Sequence, residues 1–330
     1  PVLTLHHMTL PRWVLTPSNV NQTLVQAAAK SAATTALALA ALLAFGALAA
    51  LGLAVLKLPL AGESRAFQRS LRGWESAETV DRYIAYVRFV VTRLREEGVK
   101  FWLTLNEPVG SLVGLGYLAG VWPAGFSLDG ERAYRAYLHL LKAHVRAYHA
   151  IKALQPDAQV SLAHHMAWCK VSTERVLAGR GDNAAATRQV DYFYHQHFLD
   201  AVINGRVDVA IHHEPARRRY VDSQQFFGIA PSAWQPTLDF IGLNYYRAVY
   251  VRHDPLLAVL AGRFAGGVPK INEAPSMQHN DLGWEVFPEG LYAILKQLAR
   301  RYKLAIFITD RTYAKVPVRV AKSLQRRESQ

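Results

Sequence analysis

The residues best suited to chemistry lie directly after short apolar stretches of the chain. Glu107 follows the apolar run Phe101–Leu105 and stands between Asn106 and Pro108. Hydrolysis of a glycosidic bond needs one carboxyl group that protonates the leaving oxygen and a second on the opposite side of the sugar. A partly buried glutamate could keep its proton near neutral pH through desolvation, and an adjacent asparagine could hydrogen-bond a sugar hydroxyl. Taken alone, this tripeptide could equally be a polar cap on a loop.

Further polar clusters follow other apolar runs. The runs predicted as strands are Val2–His6, Phe101–Leu105, Val160–His164, Phe240–Asn244 and Leu304–Thr309. The clusters at their ends are His6-His7, Asn106-Glu107, His164-His165 and Asn244-Tyr245-Tyr246. In a barrel of parallel strands, the carboxyl ends of the strands carry the active site. The pattern therefore predicts that these side chains meet at one edge of the sheet.

Helical patterns separate the predicted strands. In Ala77–Glu97 apolar residues recur at three- and four-residue steps, with Ser76 as a candidate N-cap and Gly98 as the terminator. Ala133–Leu154 repeats the pattern, and another helix opens at Pro288. This alternation predicts an α/β fold with a parallel sheet covered by helices. The sequence has no glycine-rich phosphate fingerprint after its first strand, which disfavours an open doubly wound sheet.

Four motifs occur in a fixed order along the chain. They are Thr4–Pro11, Trp102–Pro108, Asp239–Tyr246 and Gly283–Tyr292. The series resembles that of the family 1 glycoside hydrolases, and its spacing agrees from Trp74 to Thr309. The resemblance implies a retaining β-glycosidase, acting on β-glucosides or β-galactosides, on a (β/α)8 TIM barrel. It implies that Val2–His6, Phe101–Leu105 and Leu304–Thr309 are the third, fourth and seventh strands of that barrel.

The resemblance also implies roles for individual residues. Glu107 would be the catalytic acid/base, and Asn106 would bind the 2-hydroxyl of the sugar. His7 and Asn244 would bind substrate, and Tyr246 would lie near the nucleophile and orient it. No cofactor and no metal is implied, and the expected partner is a small-molecule glycoside.

The sequence departs from the family pattern in the partner of Glu107 and in the completeness of the barrel. The family's nucleophile is the glutamate of a Thr-Glu-Asn-Gly run, whereas this chain reads Thr309-Asp310-Arg311-Thr312. Asp310 keeps a carboxylate on a side chain that is one methylene shorter, and a misplacement of about 1 Å can cost roughly a hundredfold in rate. The first two strands and the last strand are not recognisable, and residues 311–330 form a divergent basic tail. The chain is thus either a piece of a longer protein or a rearranged copy that needs a partner chain. The alternative to an active hydrolase is an impaired family member that binds sugar or a partner.

A charge-free segment, Ser31–Leu56, lies inside a predicted helical insert at residues 15–73. Its length would suffice for a membrane span. The strands on either side of it should nevertheless be neighbours in one sheet, and its composition is mainly alanine and leucine, which favour helices. The preferred interpretation is a buried helix or helical hairpin that packs on the domain or on a second copy of the chain, giving a homo-oligomer. A membrane-associated element and a sequence artefact are the alternatives.

The charge distribution and the cysteine content argue against nucleic-acid binding and against an intrachain disulfide. The formal net charge is +13, but a surplus of five lies in the last twenty residues, and zinc-finger spacing and aromatic RNA-binding signatures are absent from the sequence. Binding to nucleic acid is therefore not expected. The single cysteine, Cys169, cannot form an intrachain disulfide. The sequence begins as if in mid-domain, and we expect one catalytic domain over residues 1–330. It shows no secretory leader, and we therefore expect a cytoplasmic location.

The histidines could suggest a metal site. His195 and His197 are two residues apart on a predicted helix, Asp191–Ile203, and such positions point to different sides. His212-His213-Glu214 lies in a predicted loop with no matching ligand group elsewhere in the sequence. A metal site is therefore not predicted, whereas His164-His165 should place one ring at the mouth of the barrel.

Overall fold

A computed structural model describes residues 2–4, 73–173, 182–255, 264, 268–270, 278–280 and 283–311. Outside them lie His7, all of the predicted insert except Gly73, the end of the first predicted strand and the tail after Arg311. Assembly through the insert therefore stays a prediction. The extent of the single domain, residues 1–330, stays a prediction too.

The described residues contain one mainly parallel sheet and one small hairpin. The strands are β1 (Val2–Thr4), β2 (Phe101–Asn106), β3 (Gln159–Val171), β4 (Val207–Asp208), β5 (Tyr220–Val221), β6 (Ile241–Arg252), β7 (Val268–Lys270) and β8 (Ile306–Arg311). Strands β1, β2, β3, β6 and β8 pair in parallel in that order. Strand β7 adds to β6 in the antiparallel direction, and β4 pairs with β5. The predicted parallel sheet is confirmed.

Two central strands are much longer than their apolar runs. β3 and β6 stay paired from Ala163–Gly242 to Val171–Val251, with an irregularity that sets Met166 opposite Tyr245 but Trp168 opposite Ala248. Between these two pairs, one residue of β3, Ala167, stands against two residues of β6, Tyr246 and Arg247, which is a β-bulge. The bulge changes the direction in which the side chains of β6 point immediately after Tyr245.

The two long helices follow their predictions closely. Helix α1 (Ala77–Leu94) continues into a 3₁₀ turn and ends at Gly98, whose φ of 77° suits glycine. Ser76 stands at the N-cap, but its side chain makes no capping hydrogen bond. Helix α2 (Gly130–Leu154) begins one turn before the predicted start, because the Asp129 side chain accepts a hydrogen bond from the backbone of Arg132.

The predicted helix Asp191–Ile203 has a different form. Helix α3 (Asn183–Asp191) starts earlier, capped by Asp182, whose carboxylate accepts from the backbone of Ala184 and Ala185. A π-helical segment (Tyr192–Gln196) then leads into helix α4 (His197–Asn204). The remaining α-helices among the described residues are α5 (Ser223–Phe227) and α6 (Pro288–Tyr302), and α6 begins at the predicted Pro288.

The core lies between the sheet and helices α1 and α2. Burial of each large apolar side chain here contributes about 1.5–3 kcal/mol. The largest fully buried side chains include those of Trp102, Tyr83, Tyr137, Phe198, Leu105, Leu140, Leu141 and Ile151. Among the helices in the described part of the chain, none has the length and apolar content needed to cross a bilayer.

Candidate active site

Glu107 directly follows strand β2 and has a backbone conformation that glutamate seldom adopts. Its φ and ψ are 47° and 52°, in the left-handed region, and its amide donates to the carbonyl of Ala163 at 2.7 Å. A π-helical segment (Pro108–Leu118) begins at the next residue. Such strain of about 1–3 kcal/mol persists only where the surroundings fix it, and it is common at functional sites. The side chain is only 6% exposed.

Three donors hold the Glu107 carboxylate. Its Oε1 accepts from Nδ2 of Asn244 at 2.8 Å and from the hydroxyl of Tyr246 at 2.7 Å. Its Oε2 accepts from the hydroxyl of Ser111 at 2.6 Å, four residues farther along the π-helical segment. Asn244 also approaches Oδ1 of Asn106 at 3.3 Å. The carboxylate is thus held by donors from two different elements.

The second carboxylate lies on the other side of Tyr246. The Tyr246 hydroxyl is 2.9 Å from Oδ2 of Asp310, on exposed strand β8, and the backbone N–H of Arg311 donates to Oδ1 of Asp310. Both carboxylates contact the same hydroxyl oxygen. The distance between their nearest oxygens therefore cannot exceed the sum of the two contacts, 2.7 and 2.9 Å. Retaining glycosidases hold their carboxyl groups about 5–5.5 Å apart. A phenol has one hydrogen, so Tyr246 donates to one of the two carboxylates at a time.

The protonation of Glu107 differs from the expectation. Burial raises its pKa, but the attraction to His165, which gains its charge only in the acidic range where Glu107 titrates, and the hydrogen bonds from Ser111, Asn244 and Tyr246 lower it by more. The net pKa lies below the usual range of a glutamate. The prediction that desolvation would hold a proton on this carboxyl is therefore wrong, because donors to the charged form outweigh the burial.

Of the two adjacent histidines on β3, His165 faces the site. Its ring lies 5.1 Å from the Tyr246 ring, and its Nδ1 is 3.2 Å from the hydroxyl of Tyr194. Burial lowers the pKa of His165 to about 4, so the ring is neutral at physiological pH. His164 turns inward, and its Nε2 donates to the carbonyl of His195 at 3.0 Å. The expectation that one ring of the pair reaches the mouth is met by His165.

A loop before helix α6 closes over Tyr246. Trp284 packs 5.7 Å from the Tyr246 ring, and the guanidinium of Arg247 lies 4.6 Å from the Trp284 ring centre. The loop is anchored by Glu285, which is buried and accepts from Lys170 of β3 at 2.8 Å. Trp284 is thus fixed against the site.

Comparison with known proteins places this geometry in a family. The model of glycosyl hydrolase family 1 matches residues 65–320. The chain belongs to glycosyl hydrolase family 1. It is 28% identical over 244 residues to beta-glucosidase A of Thermotoga maritima, covering 72% of this chain and 49% of the relative. It is 26% identical over 277 residues to a beta-galactosidase of Pyrococcus woesei, covering 76% and 49%.

A solved family 1 structure shares the fold. The beta-glucosidase of Thermotoga maritima in complex with deoxynojirimycin superposes with a TM-score of 0.57 at 25% identity, covering 74% of this chain and 51% of that one. The parallel strands β1, β2, β3, β6 and β8 with their helices form part of a (β/α)8 barrel, as expected. The chain spans about half the length of the curated relatives it matches.

Five of the six predicted site residues lie close together in the structure. Asn106, Glu107, Asn244, Tyr246 and Asp310 share one hydrogen-bonded cluster, whereas His7 lies outside the described residues. Two neighbours were missed in the sequence. Ser111 stands four residues after Glu107, and side chains at this spacing are neighbours on the surface of a helix. Arg247, which directly follows Tyr246, comes into the site through the bulge in β6.

One group of side chains has the composition of a metal site. Ligand atoms of Cys169, Asp191 and His195 lie within 4.8 Å of one another. Both ring nitrogens of His195 are already used: Nδ1 donates to Asp191 at 2.8 Å, and Nε2 accepts from the backbone of Ala167 at 3.0 Å. Burial raises the pKa of the Cys169 thiol well above its usual range. The group therefore resembles a structural hydrogen-bond network on β3 beside the bulge in β6, since metal ligands must be deprotonated and free.

Proposed function

We propose that this chain hydrolyses β-glycosides by a retaining two-carboxylate mechanism. The contact of Tyr246 with both Glu107 and Asp310 carries the proposal, because it limits the separation of the two carboxyl groups to a range that includes the separation found in retaining enzymes. β-Glucosides and β-galactosides are the proposed substrates, consistent with the names of the relatives from Thermotoga maritima and Pyrococcus woesei.

In the first step, Asp310 attacks the anomeric carbon while Glu107 gives a proton to the oxygen of the leaving group. The bond to the leaving group breaks, and a covalent glycosyl ester forms on Asp310. In the second step, Glu107 takes a proton from water as that water attacks the anomeric carbon. The carboxylate of Asp310 is released, and the sugar retains its configuration.

The neighbouring amides and phenol would assist both steps. We propose that Asn106 and Asn244 bind the sugar, and that Tyr246 steers Asp310 by its 2.9 Å contact. His7 is proposed as a further sugar ligand from the resemblance alone. The cytoplasmic location stays a prediction.

The alternative function is a catalytically impaired member of the family that binds sugar without turnover. The side chain of Asp310 is one methylene shorter than a glutamate and stands on an exposed strand. Arg311 follows it directly. The shorter side chain, the exposed strand and the adjacent Arg311 all favour a weak nucleophile. This alternative predicts saturable binding of deoxynojirimycin with no hydrolysis of any aryl glycoside.

The test compares leaving groups. For Glu107→Gln, we expect kcat/KM on a methylphenyl β-glucoside, whose leaving group needs a proton, to fall by about 10²–10⁴-fold. The fall of kcat/KM on a dinitrophenyl β-glucoside should be small, because that leaving group departs unprotonated and kcat/KM reports only the first step. Glu75→Gln is the matched control, since Glu75 is a buried glutamate held by Arg132 and Arg135 away from the site. Equal losses on both substrates would argue against Glu107 as the acid, and no hydrolysis by the unmodified chain would favour the alternative.

A further inference from the structure

Arg247 is a half-buried cation without a carboxylate partner among the residues that the structure describes. Its Nη1 is buried and donates no hydrogen bond there, while its guanidinium lies over the ring of Trp284. Burial lowers its pKa. Removing a charge from water is costly unless a partner compensates it, and stacking on an aromatic ring returns only part of that cost. A cation retained under these conditions beside an active site is a candidate for binding an anion.

The position of Arg247 relative to the carboxylates identifies the part of the substrate that it would meet. Along β6, Arg247 comes three residues after Asn244, on the side of the strand's carboxyl end, and the bulge sets it beside Tyr246. The carboxyl ends of parallel strands form the mouth of the site. Glu107 protonates the leaving oxygen, so the leaving group extends from Glu107 toward that mouth. Arg247 and Trp284 lie along this path.

The charges around Arg247 suit an anionic leaving group. His165, whose titration Arg247 influences, has its pKa lowered to about 4 by burial and is neutral at physiological pH. Tyr194, which also faces Arg247, has its pKa raised by burial and carries no charge. Arg247 forms no ion pair with Glu107 or Asp310, so its charge is not cancelled by the catalytic carboxylates. The guanidinium is a planar fork that binds carboxylate or phosphate oxygens in pairs.

We propose that Arg247 makes this site selective for β-glycosides whose leaving group carries an anionic group, a carboxylate or a phosphate. The inference rests on the proposed glycosidase function for the orientation of the substrate. Trp284 holds the plane of the guanidinium, and the anion accepts two hydrogen bonds from its outer edge. A neutral leaving group of the same size would leave the cation uncompensated.

Binding of sulfur-linked glucosides tests the proposal without requiring turnover. The probes are para-carboxyphenyl, para-phosphonophenyl and para-carbamoylphenyl thio-β-glucoside, titrated calorimetrically into the full chain. We expect at least one anionic probe to bind about tenfold more tightly than the neutral carbamoyl probe, as charge-assisted hydrogen bonds would give. The tighter of the two anions identifies the preferred group.

Variants separate recognition from packing. Arg247→Met keeps the length of the side chain and its contact with Trp284, and it should abolish the preference while changing affinity for the neutral probe by less than about threefold. Arg247→Lys should retain part of the preference. Arg252→Met is the matched control, because Arg252 lies on the same strand and faces Asp254 at 3.8 Å.

Three results would overturn the proposal. The first is an anion preference that survives Arg247→Met, and the second is an equal loss of affinity for all three probes in that variant. The third is that no probe binds to the unmodified chain. Anion-selective binding that depends on Arg247, in a chain that hydrolyses no oxygen-linked aryl glucoside, would overturn the proposed function alone.

Discussion

The hydroxyl of Ser111 donates to Oε2 of Glu107 at 2.6 Å, across one turn of the π-helical segment that follows the carboxylate. With Asn244 and Tyr246 on Oε1, both oxygens of the proposed acid accept hydrogen bonds. These bonds favour the ionised form, which is the form that acts as base in the second step. The proposed acid step is therefore favoured by low pH.

Ser111→Ala should raise the pKa of Glu107, because the substitution removes a donor to the charged form. The proton needed for the first step would then persist to higher pH, so the alkaline limb of the profile of kcat/KM against pH should move upward. Ser161→Ala is the control, since Ser161 is equally buried and donates to the carbonyl of Phe240 instead. A limb that moves downward, or moves equally in the control, would contradict this role for Ser111.

Asp310→Glu should increase the rate of glycoside hydrolysis by about a hundredfold, because the added methylene carries the carboxylate toward the anomeric carbon. Steady-state rates on nitrophenyl β-glucoside and β-galactoside measure the gain. Asp310→Asn should remove activity while leaving the melting temperature nearly unchanged, since the residue is exposed. If the glutamate variant is as inactive as the asparagine variant, Asp310 is not the nucleophile.

Gly110→Ala should destabilise the site through overpacking. A Cβ at Gly110 would stand 2.5 Å from the hydroxyl of Tyr194 and 3.0 Å from Nδ1 of His165. We expect a loss of about 1–3 kcal/mol in the free energy of unfolding, measured with urea, together with reduced activity. Gly114→Ala, in the same π-helical segment, meets its nearest atom at 3.4 Å and should be neutral or mildly stabilising. Equal effects of the two substitutions would refute the packing argument.

His144 should make the stability of the fold depend on pH. Its ring contacts the hydroxyl of Thr104 at 2.6 Å and the carbonyl of Thr237 at 2.9 Å, and burial lowers its pKa to about 4. The unfolded chain therefore binds a proton that the folded chain excludes between about pH 6.5 and about pH 4. The stabilisation is complete above about pH 6.5 and declines by about 1.4 kcal/mol per pH unit as the pH falls through this window.

Urea unfolding of the original chain and of His144→Gln at about pH 7 and about pH 5 tests this slope. The variant should be less stable at the higher pH, since its hydrogen bonds are altered, and should lose less stability on acidification. His149→Gln, at an exposed position on the same helix, is the comparison. An unchanged slope in His144→Gln would show that the acid sensitivity arises elsewhere.

Much of the sheet could be predicted because its strands begin as apolar runs. The predicted run Val160–His164 nevertheless ends seven residues before β3 does, at Val171. The extension contains polar residues such as Lys170, so its strand character depends on pairing with β6 rather than on hydrophobic pattern. The earlier start of α2 depends on the Asp129 cap, which local spacing alone did not identify.

The site was predictable where it depends on strand ends. The carboxyl ends of neighbouring parallel strands meet, and Asn106, Glu107, Asn244 and Tyr246 do lie together. The lowered pKa of Glu107 was not predictable, because it depends on which donors face the carboxylate. The approach of Arg247 depends on the β6 bulge, which leaves no mark in the composition of the strand. The roles of all these residues stay proposals.

The left-handed backbone of Glu107 has a consequence for the stability of the fold. Glycine or asparagine would adopt φ 47° at less cost, and the relief amounts to about 1–2 kcal/mol. Either replacement would also remove the carboxylate to which Ser111, Asn244 and Tyr246 donate. Measuring the free energy of unfolding of Glu107→Gly and Glu107→Asn would show whether the relief of backbone strain or the loss of these hydrogen bonds is larger.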